Sequence, residues 1–185
     1  MRRKAVTTEM LKAGLAESLL RLMDEKPFAE ITVREIAEGA GIDRSTYYRH
    51  FATREDVLDD YLGGLVNRYI AQVDREAGRL DSLCEMFTFF AGYRRELLLL
   101  YDNGQANLLL RALRRRIAAA VPTDCYQMAY HLGGLFSVFL RWFDRRMTDP
   151  PEKMARIADS LLPESFQPML RQIACPVVRE TEKGA

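Results

Sequence analysis

The sequence predicts an all-α protein of about nine helices, and three observations carry that reading. Apolar residues recur in steps of three and four along most of the chain, which sets them on one stripe of a helix. The sustained apolar–polar alternation of a half-buried strand is missing, and only Ile31-Thr32-Val33 is locally strand-like. The seven prolines (Pro27, Pro122, Pro150, Pro151, Pro163, Pro168 and Pro176) fall between the periodic segments, and a residue without an amide proton breaks helix interiors.

The elements follow in order. Residues 8–25 place Leu11, Leu15, Leu19 and Leu22 on one face. Thr32, with Glu35 three positions on, is a capping box that starts a helix at Val33. Val33, Ile36, Ala37 and Ala40 give that helix a small apolar face, and Gly41 ends it, because glycine accepts a left-handed backbone. Asp43 is placed to cap a second short helix, 44–50. Residues 32–51 thus read as a helix-turn-helix, with Ala37 small enough for the two helices to cross. Residues 54–79, capped by Thr53 and Asp56, carry Leu58, Leu62, Leu65, Tyr69 and Val73 on one stripe. Residues 97–113 are interrupted at Tyr101–Gly104, and two further patterns, 123–147 and 152–172, are separated by Asp149-Pro150-Pro151.

Composition bounds the function. With 48% apolar and 29% charged residues in 185, the chain has enough apolar content for a core and is not wholly disordered. A formal net charge of +1 excludes a uniformly basic coat but not a local one. Residues 44–54 hold Arg44, Arg49, Arg54 and His50 with no acid, and Arg2-Arg3-Lys4 adds a second basic spot. Three dispersed cysteines, Cys84, Cys125 and Cys175, contain no CxxC, so neither a disulfide framework nor a metal site is expected and a reducing cytoplasm fits. Their redox role is open against simple packing. The longest uncharged run, 125–140, includes Gln127, His131 and Ser137 and falls short of the roughly 20 residues of a membrane span. Glu9, Lys12 and Glu17 interrupt any apolar targeting segment. His50 and His131 are the only histidines, no nucleophile–base or cofactor motif appears, and the chain reads as neither an enzyme nor a cofactor protein.

The helix 44–50 has the composition of a nucleic-acid reader. Ser45, Thr46, Tyr47 and Tyr48 offer hydrogen-bonding groups on consecutive positions, flanked by Arg44 and His50, and a helix of this kind fits the DNA major groove. Arg54 follows at a helix N-terminus, which favours phosphate. The competing reading is a plain helical hairpin in which Tyr47, Tyr48 and Phe51 are core aromatics.

The order PFAEITVREIAEGAGIDRSTYYRHFATREDVL, residues 27–58, closely resembles the N-terminal domain of the TetR/AcrR family of bacterial transcription regulators, and the resemblance covers about 8–62. It implies a homodimer, with an N-terminal DNA-binding domain, 1–53, and a C-terminal dimerisation and effector-binding domain, 54–185. It implies that Tyr47 and Arg54 grip phosphates, and that Arg44, Ser45, Thr46 and His50 face base edges or phosphates. Thr32, Val33 and Arg34 would face the DNA backbone, while Tyr48 and Phe51 pack against residues 11–22. Asp43 stands where the family often has serine or threonine.

Within 123–147, Gly133-Gly134 interrupts an apolar run that includes Leu132, Leu135, Phe136 and Phe139. Two mid-helix glycines cost about 1 kcal/mol each relative to alanine. A close helix from a second subunit would justify them, and an intramolecular kink is the alternative. Candidate effector-pocket groups are Tyr93, Tyr101, Asn103, Tyr126, Tyr130, His131 and Trp142, against the reading in which such aromatics and the histidine are simply core. Residues 97–113 and 126–143 also resemble a TetR-like subgroup related to the activator of dihydroxyacetone kinase operons. That resemblance implies activation with a partner protein in place of repression with a small-molecule effector.

Overall fold

The computed structural model describes residues 7–74, 76–118 and 126–163. Among these, nine α-helices and one short 3-10 turn are present and no strand. The helices are α1 (Thr8–Glu25), α2 (Val33–Gly39), α3 (Arg44–Tyr48), α4 (Arg54–Gln72), α5 (Arg79–Ala91), α6 (Arg94–Asp102), α7 (Asn107–Ala118), α8 (Tyr126–Asp144) and α9 (Pro151–Leu161), with the 3-10 turn at Phe28–Glu30.

The chain forms two compact units. The first comprises the described residues of Met1–Leu65 together with Tyr93–Leu109, and the second those of Val66–Gly92 and Leu110–Ala185. The division falls inside α4 and α7, and α6 belongs to the first unit although it lies late in the sequence.

In the first unit, α1 buries Leu15, Leu19 and Met23 against Ile36 and Ala37 of α2. Ser18 Oγ, almost fully buried, donates to Ile36 O at 2.9 Å. A Cβ on Gly39 would overlap Ser18 Oγ, so glycine is required there by the approach of α1. Gly41, at φ +68°, makes the turn into α3, and Ile42 N closes it on Ala37 O at 3.0 Å. On α6, Leu97 and Leu100 are buried, and Arg95 pairs with Asp24 of α1.

The second unit is built on aromatic packing. The Phe87 and Phe139 rings stack at 4.7 Å, and Trp142 meets Phe87 edge-on at 5.4 Å. α5 packs most extensively on α9, where Met154, Ala155 and Ala158 are buried, and Arg79 Nε donates to Asp159 Oδ1 at 2.6 Å.

Three helices are shorter than their periodicity predicts. The stripe over 54–79 ends at Gln72, because Asp74 Oδ1 accepts the Glu76 amide at 2.9 Å and offers the backbone a turn instead. α8 ends at Asp144, where Arg146 and Met147 take φ of 56° and 51°, and Met147 N bonds Trp142 O at 2.8 Å. The predicted helix 152–172 runs Pro151–Leu161, and 164–172 lies outside the described residues, as do Arg2–Lys4, Cys125 and Cys175.

Candidate DNA-binding surface

The capping box forms as its spacing predicts: Thr32 Oγ1 accepts the Glu35 amide, and Glu35 Oε2 accepts the Thr32 amide at 2.9 Å. Glu35 also takes Lys26 Nζ at 2.6 Å. That bond first, then the two from Thr32, lower its pKa to about 2. Asp43 occupies the N-cap position of α3, but its carboxylate makes no capping bond. Asp56 caps α4 by accepting the Thr53 amide at 2.8 Å and the Ala52 amide at 3.1 Å.

On α3 the burial of the two tyrosines is the reverse of what was expected. Tyr47 is fully buried, and its hydroxyl donates to Thr53 O at 2.8 Å. Burial, and then the Asp56 charge, raise its pKa to about 12. Tyr48 is 52% exposed and meets the Tyr47 ring edge-on at 5.5 Å. Tyr47 is therefore the core aromatic and is closed to phosphate, and Tyr48 is the tyrosine on the surface. Phe51 is buried as expected.

Arg54 is also placed differently from its expected phosphate-facing role. Its Nη1 donates to Phe28 O at 2.8 Å, to Ala29 O at 3.2 Å and to Ile31 O, and its guanidinium lies 4.8 Å from the Phe28 ring centroid. The carbonyls around the 3-10 turn anchor one nitrogen of this half-buried head.

Around α3, Arg44, Ser45 and Arg49 are exposed, and Thr46 and His50 half-buried. Thr32 and Arg34 are exposed at the start of α2, with Val33 half-buried between them. Arg34 Nε donates to Glu38 Oε1 at 2.7 Å. No ion pair of Arg44 or Arg49 occurs among the described residues, whereas Lys12, Arg21, Lys26, Arg34 and Arg95 of the same unit each hold a carboxylate. Arg49 is thus a surface cation that the predicted site set omits, although its place in the acid-free run 44–54 marks it.

The seven candidate pocket residues divide between the units. Tyr93, Tyr101 and Asn103 belong to the first, and Tyr126, Tyr130, His131 and Trp142 to the second. Asn103 is tied to the backbone: its Oδ1 accepts the Phe28 amide at 2.8 Å, and its Nδ2 donates to Leu99 O at 3.0 Å. Trp142 is core, with Nε1 donating to Asp149 O at 2.9 Å. Tyr126 and Tyr130 are 91% and 77% exposed. Tyr130 and His131 line an open groove of about 620 Å³ between α8 and α9. Tyr93 and Tyr101 are half-buried. Among the described residues, no group of three or more His, Cys, Asp or Glu is arranged to hold a metal, and no helix is long and apolar enough to cross a membrane.

Comparison with known proteins bears on the same region. Residues 15–61 match the family of bacterial regulatory proteins, tetR family. The HTH-type transcriptional repressor KstR2 of Mycobacterium tuberculosis is 34% identical over 91 residues, 47% of this chain and 46% of that protein. The HTH-type transcriptional regulator EthR of Mycolicibacterium smegmatis is 40% identical over 57 residues, 31% of this chain and 26% of that protein. EthR of Mycobacterium tuberculosis is 43% identical over 60 residues, 32% of this chain and 26% of that protein. The matches thus span less than half the length of these relatives, which are named for transcriptional regulation and not for an enzymatic activity. Over residues 15–61 the chain is thus similar to the bacterial regulatory proteins of the tetR family.

Proposed function

We propose that this chain is a cytoplasmic, sequence-specific transcription regulator, a ligand-responsive repressor acting as a homodimer on a palindromic double-stranded DNA operator. The exposed face of α3 carries the reading. Arg44 and Arg49 stand there without carboxylate partners among the described residues, beside Ser45 and Tyr48, on the helix that follows the Gly41 turn. Cations left unneutralised beside hydroxyl donors suit phosphate oxygens and base edges. Residues 1–53 are the reading module in this proposal and 54–185 the dimerisation and effector part. Arg44, Ser45, Thr46 and His50 face the groove, Tyr48 takes the phosphate role first expected of Tyr47, and Thr32, Val33 and Arg34 approach the DNA backbone. The name of the KstR2 relative favours repression.

The dimer rests on α8 and α9. Tyr126, Tyr130, Ile157 and Leu161 are large exposed apolar groups on these helices. A Cβ on Gly133 or Gly134 would meet nothing within 4 Å among the described residues, so packing among those residues does not explain either glycine. A helix from a second copy does, and two-fold symmetry then predicts a palindromic operator.

The resemblance of 97–113 and 126–143 to the subgroup of the dihydroxyacetone kinase operon activator supports a second reading, an activator controlled by a partner protein. The relatives reported above bear no such name, so this alternative rests on the sequence resemblance alone.

Selection of binding sites from random duplex DNA tests the proposal. Enrichment of two inverted half-sites about one helical turn apart is the expected result. No enrichment with the full chain would overturn it.

A further inference from the structure

We propose that Asp43 is a base-reading residue, which selects a cytosine in each half-site by accepting a hydrogen bond from its exocyclic amino group in the major groove. The inference rests on the DNA-binding reading and deepens it. Asp43 is the one acid between Glu38 and Glu55, so it stands alone beside Arg44, Arg49 and His50. The residue is exposed. Its backbone carbonyl starts α3, accepting the Thr46 amide at 3.0 Å and the Tyr47 amide at 3.1 Å. Its carboxylate makes no capping bond, and no hydrogen bond or ion pair of that carboxylate occurs among the described residues.

The two other acids that cap helices in the first unit are bonded. Glu35 takes the Thr32 amide and Lys26, and Asp56 takes the amides of Ala52 and Thr53. Asp43 has Arg44 next to it in sequence and does not pair with it. An unbonded carboxylate weakens a DNA-binding surface, because phosphate repels it. That loss is offset where the carboxylate meets a donor on the DNA. The base edges say which donor. An ionised aspartate only accepts hydrogen bonds. In the major groove guanine presents two acceptors, thymine an acceptor and a methyl group, and adenine an acceptor beside its amino group. Cytosine alone presents a donor with no acceptor next to it. Residues at the start of a helix lying in the groove are the ones that reach base edges, and Asp43 and Arg44 hold those positions. The reading uses a side-chain acceptor and not the amides of the helix end. The same charge acts a second time, by disfavouring duplex that offers it only phosphates and acceptors.

Site selection from random duplex DNA with the full chain, repeated for Asp43→Asn and Asp43→Ser, tests it. The parent should enrich a half-site with one position fixed as cytosine, and replacing that base pair should weaken binding by roughly 5- to 150-fold. Asp43→Asn should move the preference at that position alone to adenine, whose N6 and N7 suit an amide side chain. Asp43→Ser keeps a capping group. It should lose the preference there, bind random duplex severalfold more tightly and melt no lower than the parent. Glu17→Gln removes an exposed acid from α1 and should leave every position of the site as it was. An operator whose preferences are all unchanged in Asp43→Asn and Asp43→Ser would overturn the inference and leave the DNA-binding reading standing. No enriched site with the parent would overturn the DNA-binding reading itself, so the two fail separately.

Discussion

Asn103 Oδ1 accepts the backbone amide proton of Phe28 at 2.8 Å, across 75 positions of sequence. The carbonyl of the same Phe28 is held by Arg54 at 2.8 Å. The 3-10 turn between α1 and α2 is thus gripped on both backbone groups, by the C-cap of α6 and by the start of α4. Asn103, expected as an effector contact, and Arg54, expected as a phosphate contact, both hold this turn.

Removing the Asn103 grip should cost stability first. Asn103→Ala leaves a partly buried amide unsatisfied, a loss of about 1–3 kcal/mol. Thermal unfolding should show a drop of several degrees, and Asn103→Asp, which keeps an acceptor, should recover part of it. An unchanged melting temperature in the alanine variant would show that the bond contributes little.

Tyr47 and Tyr48 should separate stability from binding. Tyr47→Ala empties a fully buried site and should cost about 3–5 kcal/mol. Tyr47→Phe loses only the bond to Thr53 O, about 1 kcal/mol. Tyr48→Ala should melt like the parent and bind DNA more weakly across sequences. Fluorescence anisotropy beside a melting curve for each variant distinguishes them, and the reverse pattern would return Tyr47 to the DNA surface.

Arg44 and Arg54 should differ in the same way. Arg44→Ala or Arg49→Ala should reduce the slope of log affinity against log salt by about one per subunit, with no change in melting temperature. Arg54→Ala should lower the melting temperature, because it releases the carbonyls around the 3-10 turn, and its effect on DNA should follow that loss. A reduced salt slope with unaltered stability in Arg54→Ala would restore its role at phosphate.

Acid should weaken the start of α2. The pKa of Glu35 is held near 2, against an ordinary 4.5, by Lys26 first and then Thr32. A depressed carboxylate contributes stability that is fully present above its unfolded pKa and is lost as pH falls through the folded one. The expected loss therefore runs from about pH 4.5 down to about 2, and Glu35→Gln should flatten that part of the profile. Denaturant midpoints measured across this range check it, and parallel profiles for the two proteins would refute the assignment.

Gly134→Leu should spare the fold and break the dimer. Among the described residues a Cβ there meets nothing within 4 Å, and replacing a helical glycine removes a cost of about 1 kcal/mol. Light scattering of the full chain should show a dimer that dissociates in the variant, at unchanged helical content. A variant that remains dimeric would remove α8 from the interface.

Local chemistry explains what was legible in the sequence. The 3.6-residue period of Leu15, Leu19 and Leu22 marks α1 to within its observed ends, and the capping box and Gly41 mark α2 and its turn because each depends on neighbours four positions away or fewer. The phase of α3 was not legible. Five residues span little more than one turn, so composition alone cannot say whether Tyr47 or Tyr48 faces inward, and the answer comes from packing. Gly39 carries no local mark for a related reason: its constraint is Ser18, on another helix. The ties from Asn103 and Arg54 to Phe28 are long-range and leave no periodic trace.

The discontinuity of the first unit sets a schedule for its birth. A nascent chain emerging at about 5–20 residues per second needs roughly 2–9 s to extend from Leu65 to Leu109. Through that interval Phe28 N–H and Asp24 wait without Asn103 and Arg95, and the first 65 residues form a head lacking its last helix. Grafting the first 65 residues onto another protein by a single splice would make that unfinished state permanent, so a chimera with an intact first unit must carry Tyr93–Leu109 along with it.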